Sequence, residues 1–179
     1  PQHPRAAHRL DSNTTGLVVL ARTRHFAGQL QPQFTRGEVA KTYLVRAQGH
    51  PSWEHYRCEL PISDEPGLNG SRDIDEDDGR SACTEFTVLA RHNDGTALLE
   101  ARPLTGRTNQ IRVHLWELGF PIVGDGLYLP DHKRGATHTL AMDAAPLCLH
   151  AWRLAFTHPV TGVQLDPHAD LPADLQALL

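Results

Sequence analysis

Apolar positions along the chain follow two spacings, and the changes between them mark out its elements. Leu17 to Ala21 is an unbroken apolar run of strand length, so a buried strand is predicted there. Phe26, Leu30 and Phe34 then recur every four residues, as on one face of a helix. Pro32 falls inside that pattern and predicts two short helical pieces joined near Gln31. Lys41 to Gln48 reads as a strand closed by Gly49-His50-Pro51, and Tyr56 to Leu60 as another before Pro61. Ser63 to Gly79 shows little periodicity and reads as a surface loop. Ser81 to Arg91 and Thr96 to Arg102 flank Asn93-Asp94-Gly95, whose Asp-Gly pair predicts a β-hairpin.

A helix follows, capped by Thr108 or Asn109 and running to about Leu118. Ile111, Leu115 and Leu118 share one face, Arg112 sits in the first turn, and Gly119 stands just past the end. Trp152, Leu154 and Phe156 alternate with Ala151, Arg153 and Ala155, the period of a half-buried strand. Leu171, Leu175 and Leu178 suggest a closing helix after Asp170. With no internal repeat and no linker, residues 1–179 read as a single domain of the α+β class.

Composition narrows the function. The chain is 40 % hydrophobic, enough for a core, but its apolar runs are too short to span a bilayer and no signal peptide opens it. A soluble, cytoplasmic monomer is expected. The net charge is −4 and the pI near 6.3, unlike a generic nucleic-acid binder. The distribution qualifies this. The acidic charge gathers in Asp73-Ile74-Asp75-Glu76-Asp77-Asp78, whereas Arg5, Arg9, Arg22, Arg24, Arg107 and Arg112 fall in or beside the motif segments described next. A cleft built from those arginines would attract phosphate whatever the total charge.

Cys58, Cys83 and Cys148 are odd in number and lack C-x-x-C spacing, so free structural thiols are expected. The 12 histidines, His8, His114, His150 and His158 among them, show no ligand-type spacing. Ser12, Ser63 and Ser81 lack the G-x-S-x-G setting of a serine nucleophile. No metal and no cofactor are expected.

Four segments carry the chemistry. His8-Arg9-Leu10-Asp11 leads into Ser-Asn-Thr14-Thr15-Gly16. Lys41-Thr42-Tyr43-Leu44-Val45 follows, then Gly106-Arg107-Thr108-Asn109-Gln110-Ile111-Arg112-Val113-His114-Leu115 with Gly119-Phe120-Pro121-Ile122-Val123-Gly124-Asp125. Leu149-His150-Ala151 through Phe156-Thr157-His158-Pro159 completes the set. In wording and order these resemble the RluA-type family of RNA pseudouridine synthases. Thr15 stands where that family usually has serine, and Asn109 where it usually has histidine. Only residues 1–7 precede the first motif, and the chain does not open on Met, so it reads as a fragment of a longer protein or as one without the family's first strands.

The resemblance implies a large, mainly antiparallel central sheet flanked by helices, with an active cleft across it. It implies isomerisation of uridines in structured RNA, rRNA or tRNA, by a metal-free route with base flipping. Asp11 corresponds to the family's aspartate, acting on the sugar as a nucleophile or by taking its C2′ proton. Tyr43 would stack on the uracil. Arg112 would pair with Asp11 and lower its pKa, with Arg107 a rival for that role. Gly124-Asp125 reads as a structural turn. Arg9 would fill the gap left by the extruded base, and His8, Thr14 and Arg107 join it as RNA contacts. Two other classes stay open: a catalytically silent RNA-binding module that keeps the cleft, and a metal-dependent hydrolase.

Overall fold

The computed structural model describes residues 3–136 and 146–177. A seven-stranded sheet organises them, built from β2 (Thr15–Gly16), β4 (Ala40–Gln48), β5 (His55–Cys58), β6 (Thr84–Arg91), β7 (Thr96–Pro103), β10 (Leu149–Thr157) and β11 (Gln164–Leu165). Its order is β11-β10-β4-β7-β6-β5, antiparallel throughout, with β2 pairing parallel to β10. The fold is therefore α+β with a mainly antiparallel central sheet, as the sequence implied. Two small ribbons lie outside it: β1 (Arg5–Ala6) with β3 (Leu20–Ala21), and β8 (Tyr128–Leu129) with β9 (Lys133–Arg134). Among the described residues no helix is long and apolar enough to cross a membrane.

The predicted hairpin is β6–β7, and Gly95 supplies the positive φ of +81° that its turn needs. Helix α2 (Gln110–Glu117) is buried on nearly every side. Ile111 and Leu115 pack into the sheet with Val45, Phe86 and Leu99, while Val113 and Trp116 face a second layer of Ile62, Leu127 and Tyr128. Helix α1 (Arg24–Thr35) covers the other end of the sheet through Ala27 and Leu30 against Leu154 and Phe156. Each buried leucine of this kind contributes about 1.5–3 kcal/mol relative to exposure. α2 ends as expected, Gly119 taking a φ of +84°.

Several expectations are corrected. Leu17 to Ala21 is not a buried strand: Val18 and Leu20 are 43 % and 56 % exposed. The chain leaves β10 after Gly16, whose φ of +108° and contact with the Ala151 backbone leave no room for a side chain. It then crosses to pair β3 with β1. α1 runs unbroken through Pro32. The carbonyl that Pro32 leaves without a donor belongs to solvent-facing Gly28, where water can serve it.

β10 departs from the expected alternation: Leu149, His150 and Ala151 are all buried, and Trp152, at a bulge between Ala151 and Arg153, is only half-buried. The acidic loop is less open than predicted, because Ile62 bridges both Ile74 and Arg80. The closing helix α3 is Ala173–Gln176, with Leu175 buried; Leu178 lies outside the described residues.

Candidate active site

A cleft of about 570 Å³ opens where the N-terminal motif meets the end of α1, β4 and the loop entering α2. Its walls include His8, Arg9, Asp11, Thr14, Lys41, Tyr43 and Arg107, so six of the seven residues singled out by sequence share one surface. The seventh, Arg112, is buried behind it.

A tight turn aims Asp11 into the cleft. The Thr14 N–H donates to the Asp11 carbonyl at 3.1 Å, and Asn13 takes the left-handed φ of 67° that asparagine tolerates. Burial raises the pKa of the carboxyl above its ordinary value of 3.8, and Asp125 adds to that rise; the backbone N–H of Asn109 and the charges of Arg112 and Arg9 oppose it. Burial wins. The expected depression by Arg112 is present as one influence but does not set the outcome.

The guanidinium of Arg112 has another partner. Nε and Nη2 donate to Asp125 Oδ2 and Oδ1, each at 2.7 Å, and Nη1 donates to Asn109 Oδ1 at 3.0 Å. This bidentate pair is almost wholly buried, with side-chain exposures of 3 % and 0 %. Asp125 is thus more than a turn residue: it is the counter-ion of Arg112, and its Oδ1 also accepts the N–H groups of Leu127 and Tyr128. Arg112 acts on Asp11 through its field rather than by a hydrogen bond. Its guanidinium also stands 5.0 Å from the centre of the Tyr128 ring.

Asn109 joins these groups. It takes a left-handed φ of 57° at the start of α2 and, contrary to expectation, makes no side-chain cap. Its carboxamide instead accepts from Arg112 and donates to the Tyr128 hydroxyl at 3.2 Å, while its backbone N–H faces Asp11. Gln110 fixes the same loop, accepting from the Thr105 hydroxyl at 2.6 Å and the Arg107 N–H at 3.0 Å.

The pKa of Tyr43 is pushed up to about 12 by burial and by the Asp11 charge, so the phenol stays protonated at neutral pH. Arg9 is exposed and donates through Nη2 to the Thr108 hydroxyl, joining the two lips of the cleft. Arg107 turns partly outward, its Nε donating to the Ser81 carbonyl. His8 is tied inward: Nε2 accepts the Val19 N–H at 3.1 Å and the ring stacks on Phe34 at 4.4 Å, while burial lowers its pKa and favours the neutral form. Thr14 Oγ1 is buried with no hydrogen-bond partner among the described residues.

Among the described residues no group of three or more His, Cys, Asp or Glu side chains is placed to hold a metal ion. Buried His114 is satisfied by the Thr84 hydroxyl and the Leu60 carbonyl, each at 2.9 Å.

Comparison with known proteins identifies the family. The model of the RNA pseudouridylate synthase family matches residues 1–117. This chain belongs to that family. Its similarity extends to the RluA type: a dual-specificity RNA pseudouridine synthase RluA from Yersinia pestis is 35 % identical over 161 residues, 89 % of this chain and 74 % of the relative. The protein of the same name from Escherichia coli K12 is 36 % identical over 169 residues, 94 % and 73 % of the two chains. Among solved structures, human RNA pseudouridylate synthase domain containing 4 superposes with a TM-score of 0.78 at 28 % identity, covering 97 % of this chain and 73 % of the other. Human RNA pseudouridylate synthase domain containing 1, at 23 % identity and a TM-score of 0.76, shares the fold, covering 98 % and 79 %.

Sequence reasoning placed Lys41, Gln110 and Asp125 inside the motif segments but gave the first two no individual role and read Asp125 as part of a turn. Lys41 was detectable, because it lies two residues before Tyr43 on a predicted strand and must share its face. The partnership of Asp125 with Arg112 joins residues 13 apart across a turn, which no periodicity announces.

Proposed function

We propose that this protein converts specific uridines of structured RNA, rRNA or tRNA, into pseudouridine by an aspartate-dependent, metal-free route in which the target base is flipped out. The net change breaks the N1–C1′ bond, joins C5 to C1′ and moves one proton from C5 to N1. It needs neither oxidant nor hydrolytic water. One observation carries the reading: Asp11 faces a nucleotide-sized cleft beside Tyr43, with the Arg112–Asp125 pair buried behind it.

In this reading the Asp11 carboxylate acts on the ribose, and the Asn109 N–H and the arginine charges preserve its ionised form against burial. Tyr43 holds the detached uracil with its ring and offers a neutral hydroxyl. Arg9 releases Thr108 and enters the space that the extruded base vacates. Arg107 and Thr14 contact the RNA from the rim and the floor of the cleft. His8 supports the floor through Val19 and Phe34.

The test is pseudouridine mapping in total RNA with and without the gene, followed by turnover of the mapped RNA by purified protein. A uridine that loses its modification in the deletion and regains it in vitro supports the reading. Tight RNA binding without turnover would make the chain a silent RNA-binding module.

A further inference from the structure

β4 sets Lys41 and Tyr43 two residues apart on the face that lines the cleft. At about 3.3 Å rise per residue, their Cα atoms stand about 7 Å apart along the strand. The ammonium of Lys41 donates to the Thr105 carbonyl at 3.1 Å, which uses one of its three N–H bonds. No acid pairs with it among the described residues, although Arg36 and Arg112 nearby each have a carboxylate. Gly106 lies beside Nζ, within ordinary contact distance at 3.7 Å from where a Cβ would stand, so the backbone of the 104–108 loop borders the ammonium. Burial lowers the lysine pKa, a penalty that an arriving anion would relieve.

We propose that Lys41 seats an RNA phosphate, its Nζ binding a non-bridging oxygen of a phosphate adjoining the target uridine while Tyr43 faces the base. The assignment rests on the RNA-modifying reading above and adds the backbone contact that fixes the register of the strand in the cleft. The alternative role is a staple: Lys41 would only hold the 104–108 loop through Thr105. The two roles separate in binding measurements.

The probe is a stem-loop carrying the mapped uridine, either unmodified or with one methylphosphonate on its 5′ or its 3′ side. Lys41→Gln is expected to weaken binding to the unmodified RNA by roughly tenfold to a hundredfold. It should also reduce the slope of log affinity against log salt by about 0.7–0.9, the share of a single phosphate contact. Lys41→Arg should recover much of the affinity. One of the two methylphosphonates should weaken the parent comparably yet leave Lys41→Gln nearly unaffected, because both changes remove the same contact. An unchanged salt slope, or methylphosphonate penalties equal in parent and variant, would overturn the proposal, and a fall in Tm alone would assign the staple role. Because this coupling is read from binding, failure of turnover in the parent would count against the proposed reaction and not against the contact.

Discussion

Replacing Arg112 by Met removes the cation of a buried pair and leaves Asp125 without its counter-ion at a fully buried position. Breaking such a pair from one side costs about 3–5 kcal/mol. In a chain of this size each kcal/mol moves Tm by about 2–4 °C, so a fall of roughly 6–20 °C is expected. The smaller value is favoured because Asp125 keeps the N–H groups of Leu127 and Tyr128. Adding Asp125→Asn should restore most of the loss: the amide oxygen can still accept those N–H groups, and no unpaired charge remains.

Activity should behave differently from stability. Arg112 lowers the pKa of Asp11 and Asp125 raises it, with Arg112 the stronger influence. If the carboxylate is the active form, the rate climbs as pH rises through the Asp11 pKa. That limb should lie at the highest pH in Arg112→Met, lower in the double variant and lowest in the parent. Single-turnover rates across pH, taken well below each Tm, read this order. A parent-like profile in Arg112→Met, or a limb in the double variant no lower than in Arg112→Met, would reduce Arg112 to scaffolding and refute its electrostatic role.

Asp11→Asn should abolish turnover while leaving RNA affinity within several-fold. Because the folded-state pKa of Asp11 lies above 3.8, its contribution to stability is fullest at low pH and is lost as pH rises from that ordinary value through the raised one. At neutral pH the asparagine variant should therefore melt at or above the parent temperature, and a lower Tm in calorimetry would contradict the burial argument. Tyr43→Phe should keep affinity within several-fold, since the ring remains, whereas Tyr43→Ala should lose roughly tenfold or more; equal affinities would remove the stacking role. Arg9→Lys should slow turnover on a structured stem-loop more than on a flexible strand, with the salt dependence of binding nearly unchanged. Equal effects on both RNAs would leave Arg9 a phosphate contact.

What could be read from the sequence was mostly short in range. The β6–β7 hairpin follows from one Asp-Gly turn, and α2 from a spacing of four closed by Gly119. The stretch from Leu17 to Ala21 misled because a continuous apolar run says nothing about where the chain must turn. Gly16, pressed against the Ala151 backbone, releases it from the sheet after two paired residues. Pro32 misled in the opposite sense, since the break it predicts is avoided where the orphaned carbonyl faces solvent.

The site divides in the same way. Residues of one motif were placed together correctly, but the balance of charge around Asp11 was not, because it depends on how deeply three separate segments bury one carboxylate. A residue pattern says which cations are available; it does not say that Asp125 occupies Arg112. Asn109 shows why this matters. A side chain that simply capped α2 would be replaceable by serine or aspartate. The observed asparagine instead needs a left-handed backbone, an acceptor for Arg112 and a donor for Tyr128 at once, and few side chains supply all three. Asn109 is therefore the residue that links the Asp11 carboxylate to the buried ion pair, through its backbone N–H on one side and its carboxamide on the other.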